Sequence, residues 1–164
     1  MHIRHAVLDD LPAIVAVEAR CFPPAEAADE AVFHDRLTHY PQHFWLLFIG
    51  KELVSFVDGM ATDEPNLRDA MYADASLHQP EGRWQMIFGV NTLPQYRRQG
   101  HAERVLRRVI AEARTAGRAG LVLTCKDELV RYYARLGFVF PNPATAGYAG
   151  IRCDSPFEFR LSAE

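Results

Sequence analysis

Arg97-Arg98-Gln99-Gly100-His101-Ala102 stands between a short apolar run, Met86 to Val90, and a long helical stripe. The stripe is Ala102, Val105, Leu106, Val109, Ile110 and Ala113, apolar residues at i, i+3, i+4, i+7, i+8 and i+11. That is the period of an amphipathic helix. Gly100 lets the backbone curl and come close to a ligand. Ala102 keeps the helix start uncluttered, and the free N–H groups of the first turn face whatever lies in front. A strand–turn–helix of this kind is a phosphate cradle, with the helix dipole adding up to ~1–2 kcal/mol. Positions 97 to 118 hold seven arginines against two acids, which suits a ligand carrying several phosphates. Taken alone, the turn fits a solvated helix cap equally well.

Working outward, Leu121 to Thr124 reads as a buried strand, followed by a helix that Asp127 caps and Gly137 closes. That helix places Tyr132 and Tyr133 beside Leu129 and Leu136. A helical tyrosine on an apolar face serves either as a core residue or, with a phenol pKa of ~10, as a proton donor to a thiolate. Phe138 to Phe140 and Phe157 to Leu161 complete the chain as strands. Upstream, Ile3 to Val7 is a short strand, and Asp9 or Asp10 caps a helix with Pro12 in its first turn. Pro23-Pro24 stops that helix. Ala25 to Thr38 reads as a second helix with Ala28, Ala31, Val32 and Leu37 inward. Phe44 to Ile49 and Leu53 to Val57 flank Gly50-Lys51, a hairpin signal. Residues 61–84 show no sustained period, and a structureless stretch of that length is functional or mobile as a rule. The order of elements indicates a mixed α/β domain spanning 1–164.

Composition narrows the function. The 164 residues are 49% apolar and 24% charged, which excludes a disordered chain. The longest apolar run, Phe44 to Ile49, is far short of the roughly 20 residues that span a bilayer. The first residues lead into Asp9 and Asp10, unlike a signal peptide. Three cysteines, Cys21, Cys125 and Cys153, have no metal-type spacing and read as reduced thiols of a cytoplasmic protein. No metal site is expected: His39 and His43 have ligand spacing, but Pro41 breaks the helix they would need. The net charge of −3 divides unevenly, −8 over residues 1–90 and +5 over 91–164. A nucleic-acid binder would be basic throughout, so none is expected as partner, nor is a membrane. A basic half can hold an anionic ligand while an acidic half receives a cation.

The turn and the tyrosine helix together resemble the GNAT acetyltransferase superfamily, whose phosphate loop is Gln/Arg-x-x-Gly-x-Gly/Ala. Arg97-x-x-Gly100-x-Ala102 satisfies that pattern, and Tyr133 before Gly137-Phe138 falls where the family carries a tyrosine. Leu121-Val122-Leu123-Thr124-Cys125-Lys126-Asp127-Glu128-Leu129-Val130, then Tyr133, is similar to the arylalkylamine (serotonin) N-acetyltransferase branch. The resemblance covers nearly the whole chain. It implies a GNAT fold, a central mixed, mostly antiparallel sheet of about seven strands flanked by about four helices. It also implies acetyl-CoA as co-substrate, a small-molecule primary amine as acceptor, and direct attack of the amine on the thioester. Val90, Asn91 and Thr92 would pair with the pantetheine arm, a backbone N–H polarising the thioester carbonyl. Arg97, Arg98, Gln99, Gly100, His101 and Ala102 would hold the pyrophosphate, with Lys126, Tyr132 and Arg135 bordering the cofactor. Tyr133 would protonate the departing sulfur.

One departure stands out. The vertebrate arylalkylamine enzymes carry histidines where this chain has Met86 and Phe88, neither of which moves a proton. Glu26, between the leading helices, and His78, in the long loop, are the candidates to replace them. Each fits a solvated surface residue as well. If residues 61–84 form a lid, Asp63, Glu64, Asp69, Asp74 and Glu81 would draw in a cationic acceptor, and Phe22, Met86 and Phe88 would form an apolar wall. Acetylation of a protein amine and a silent acyl-CoA sensor are the rival readings. A homodimer is left open.

Overall fold

The computed structural model describes residues 1–139 and the backbone of a strand at 155–160. The remainder of the expected Phe138–Phe140 strand lies outside the described residues, and Val139 forms only an isolated bridge. Strands β1 (His2–His5), β2 (Phe44–Ile49), β3 (Glu52–Asp58) and β6 (Gly89–Thr92) form one antiparallel sheet in that order. Strands β4 (Ala61–Thr62), β5 (Trp84–Ile87), β7 (Gly120–Cys125) and β8 (Ser155–Arg160) form a second, in which β5 and β7 run parallel. The sheets are continuous. Met86 N–H donates to Met60 O and Phe88 N–H to Asp58 O, both at 2.7 Å, so β3 runs on into β4 and β5 into β6. The expected mixed, mostly antiparallel sheet is thus present.

Helices α1 (Leu11–Cys21), α2 (Glu30–His39), α4 (His101–Thr115) and α5 (Val130–Arg135) flank the sheet, with a short α3 (Asp69–Ala73). Helix α4 follows its sequence stripe, burying Val105, Leu106, Val109, Ile110 and Ala113. Each large side chain so buried contributes roughly 1.5–3 kcal/mol. Asp10 precedes α1 but does not cap it with its side chain. Its carboxylate instead binds Arg4 through two 2.8 Å contacts and accepts the Val7 N–H at 2.8 Å.

Helix α2 starts five residues later than its composition suggests. Asp29 is the cap, accepting the Val32 N–H at 3.0 Å, while residues 23–27 turn on the Pro23 carbonyl. Its buried stripe is Phe33, Arg36 and Leu37, followed by Tyr40, whereas Ala31 is exposed. The segment 61–84 is folded rather than structureless. Met71 and Ala75 are 1% exposed, and the Gln79 N–H returns to Ala61 O at 2.8 Å. No helix among the described residues is long and apolar enough to cross a membrane.

Strands β5 and β7 hold together from Trp84/Gly120 to Ile87/Leu123 and then part. Beyond Phe88, β6 pairs with β3 alone among the described residues. The wedge between β6 and β7 is where the site lies.

Candidate active site

Three cavities follow one another along the wedge. The first, of about 550 Å³, opens at the mouth between the start of α4 and the face of α5. Val90, Thr92, Arg97, Arg98, Gly100, His101 and Ala102 line one side and Tyr132, Tyr133 and Arg135 the other. Gly100 has φ +81° and Arg98 φ +62°, a left-handed conformation uncommon for a non-glycine residue. Left-handed residues of this kind are what builds the concave anion nest of successive backbone amides. Arg104 N–H is the amide that closes the first turn, on Gly100 O at 3.1 Å. A Cβ built on Gly100 meets no protein atom within 4 Å, so the space before the helix is open to a ligand. The residues present therefore fit a pyrophosphate. Leu129, 41% exposed despite its place in the apolar pattern, borders this opening.

The middle cavity, of about 330 Å³, lies where the strands part, between Gly89–Val90 and Leu123–Lys126. Tyr133 lines both it and the first cavity. Its ring is held edge-on by Tyr132 at 5.1 Å and Phe138 at 5.8 Å. Burial pushes its phenol well above the ordinary value, so it stays protonated. Cys21 also lines both cavities and donates to Thr92 O at 3.4 Å, a carbonyl shared with Arg97 Nε at 3.0 Å.

The third cavity, of about 350 Å³, lies against α1, α2 and α3. Phe22, Glu26, Phe88 and Gly89 line both it and the middle cavity. Its polar floor is an ion pair absent from the sequence expectations. Arg36 Nη1 donates to Asp58 Oδ2 at 2.9 Å, and Arg36 Nη2 to Tyr72 O at 3.0 Å. Both side chains are buried, Asp58 being 1% exposed. Glu18 adjoins them, accepting Asn91 Nδ2 at 2.8 Å and the Ala28 N–H at 2.9 Å.

Most sequence candidates converge here, and some do not. Glu26 reaches the acceptor side, where Lys126 Nζ lies 3.3 Å from its Oε2. Asn91 is fully buried, and its side chain turns to Glu18 rather than to the cofactor cleft. Gln99 also turns away, its amide donating to Gln95 O at 3.3 Å. His78 lines none of the three cavities. Its Nδ1 accepts the Ala61 N–H at 3.0 Å, and its ring packs on Tyr40 and His43. It therefore anchors the 61–84 segment and stands apart from the chemistry. Met86 is fully buried in the core, so the apolar wall is Phe22 and Phe88 without it.

None of Asp63, Glu64, Asp69, Asp74 and Glu81 lines the third cavity, which takes Tyr72 and Ala73 from this segment instead. Asp63 accepts the Arg83 N–H, Glu64 pairs with Arg68, and Asp74 caps the turn after α3. The carboxylates that line the third cavity are Glu18, Glu26 and Asp58. The one local signal for the Arg36–Asp58 pair is an aspartate, Asp58, ending an apolar strand; nothing in the sequence near Arg36 marks it as its partner.

Residues 11–138 match the Acetyltransferase (GNAT) family, and the chain belongs to it. Among solved structures it is similar to the loading GNATL domain of CurA from Lyngbya majuscula, with 19% identity and a TM-score of 0.81, covering 97% of this chain and 96% of that one. It is also similar to the GphF GNAT-like decarboxylase in complex with isobutyryl-CoA, with 28% identity and a TM-score of 0.72, covering 94% and 80%. A third likeness is to the ribosomal-protein-S18-alanine N-acetyltransferase from Escherichia coli, with 18% identity and a TM-score of 0.67, covering 99% and 95%.

Proposed function

We propose that this chain transfers the acetyl group of acetyl-CoA to a small primary amine with an apolar body, by direct attack on the thioester. One observation carries the reading: the cradle at residues 97–102, Tyr133 and a carboxylate-faced cavity share lining residues in one unbroken sequence. The cradle amides and Arg97 and Arg98 hold the pyrophosphate. The open edge at Val90 takes the pantetheine, and a strand amide there stabilises the oxyanion. Alignment of the two substrates supplies much of the remaining acceleration. Tyr133 donates to sulfur as the C–S bond breaks. Glu18, Glu26 and Asp58 outnumber Arg36 in the lining of the third cavity and favour a cation, and Phe22 and Phe88 suit an apolar body, in keeping with the arylalkylamine-like run at 121–133. Free thiol released from acetyl-CoA, measured across a panel of arylalkylamines, polyamines and amino acids, tests this. Binding of acetyl-CoA without thiol release for any amine overturns it.

A second reading follows from the 28% identity to the GNAT-like decarboxylase. Loss of carbon dioxide from a carboxyacyl-CoA needs a group that orients the carboxylate and a donor for the enolate oxygen left on the thioester. The cation in the third cavity is Arg36, and it is committed to Asp58. Carbon dioxide released from a carboxyacyl-CoA in the absence of amine would favour this alternative.

A further inference from the structure

We infer that Asp58 is the proton acceptor for the attacking amine, whose nitrogen meets Asp58 Oδ1 at the floor of the third cavity. This rests on the amine-acetylation reading above. Asp58 ends β3 opposite Gly89 in the β3–β6 register. Its Oδ2 is taken by Arg36, while Oδ1 has no hydrogen-bond partner among the described residues. Asn91 Nδ2 is fixed on Glu18, which leaves its Oδ1 buried and without a donor. A Cβ placed on Gly89 would lie 3.1 Å from Asp58 Oδ1, so a glycine here lets that oxygen pack closely on β6, at the residue that lines both the third and the middle cavity. A carboxylate oxygen lacking a donor thus stands beside the glycine at which the two cavities meet. Buried acceptors are satisfied as a rule, and a primary ammonium brings three N–H donors.

The other carboxylates are committed. Glu18 uses both oxygens, one on Asn91 and one on the Ala28 N–H. Glu26 is half exposed and has Lys126 beside it. Arg36 cannot leave Asp58 readily, being also bonded to Tyr72 O, with its guanidinium over Phe88 at 4.8 Å. It orients the carboxylate and keeps Oδ1 pointed away. The groups around Asp58 are Arg36 on α2, Glu18 on α1, Tyr40 after α2 and Tyr72 on α3. Burial pushes the Asp58 carboxyl up to about 6, with Glu18 adding to the rise and Arg36 opposing it. A base of that strength is carboxylate at neutral pH and still able to take a proton.

The protons balance. An alkylammonium loses two protons on becoming an amide. Asp58 Oδ1 takes the first and passes it to water at the cavity mouth. The lone pair then forms the C–N bond, the C–S bond breaks, and the second proton makes up the one that comes to rest on sulfur by way of Tyr133.

Asp58→Asn keeps an oxygen for Arg36 and removes the base. The expected result is a loss of roughly 10²–10³-fold in kcat/KM for the amine, with acetyl-CoA affinity unchanged within about twofold. The wild-type acidic limb of kcat/KM near pH 6 disappears in this variant. Two amines of different pKa tested on the wild type separate the groups, because the substrate limb moves with the amine and the Asp58 limb does not. That second measurement decides the matter if the variant does not fold. An active wild type with no fixed limb between pH 5 and 7, or a variant that keeps its rate and limb, overturns the inference alone. A wild type that binds acetyl-CoA yet acetylates no amine overturns the proposed function and this inference together.

Discussion

Tyr133 is 5% exposed yet reaches two cavities, a position that a residue serving only the core would not need. Tyr133→Phe keeps the ring contacts with Tyr132 and Phe138 and removes one hydroxyl. We expect kcat to fall by about 10²-fold with thermal stability retained, measured by thiol release and by thermal melting. Wild-type turnover would return the residue to the core. At Gly100, glutamate would bring strain at φ +81° and a negative charge into the open cradle. Titration calorimetry should then find acetyl-CoA binding lost in a folded Gly100→Glu protein. These two residues were legible in the sequence because each sits in a local pattern, a glycine turn before a helix and a tyrosine before Gly-Phe. Asp58, Arg36 and Asn91 were not. They belong to three elements, and nothing local in any one says that the others face it.

Among the elements, α4 could be read in full because its face is apolar at every buried turn. Helix α2 could not, since its inward stripe carries Arg36, a residue that periodicity counts as outward. The Asp29 cap fixes where α2 begins, so Asp29→Ala should cost about 1 kcal/mol of stability, checked by denaturant melts. The 61–84 segment escaped for a different reason: its regular pieces are too short to show a period. It is anchored by single buried residues. Met71→Ala should destabilise by about 2–5 kcal/mol and raise KM for the amine, since the adjacent Tyr72 lines the acceptor cavity. Glu64→Gln and Asp69→Asn should leave that KM and its salt dependence unchanged, because neither carboxylate faces the cavity. A raised KM in either would reinstate the segment as an electrostatic lid.

For the molecule as a whole, pH dependence follows from a histidine pair that lines none of the three cavities. His43 and His78 pack ring to ring at 4.6 Å, and burial holds both down to about 4, the second near Arg118. A histidine whose folded value lies below its unfolded value of ~6.5 favours the native state above pH 6.5. That stability is lost as pH falls from 6.5 toward 4, because the unfolded chain then binds the extra protons. Asp58 works against it, since its raised value adds stability as pH drops below about 6. Replacing His43 by Gln keeps a hydrogen-bonding side chain and removes one titration, so melting temperature should depend less steeply on pH between 6.5 and 4. An unaltered slope would assign the acid sensitivity elsewhere.

The parting of β6 from β7 reaches beyond catalysis. A strand edge lacking a neighbour is a template for whatever extended chain arrives, another protein molecule included. Among the described residues the row from Val90 to Thr92 is such an edge, guarded by the Cys21 thiol and the Arg97 guanidinium on one carbonyl. The co-substrate's arm would act as a guest strand, capping the edge as it binds. Self-association should therefore track the supply of coenzyme: dilute, starved preparations should turn cloudy on mild heating, and coenzyme A alone, without any acceptor, should keep them clear.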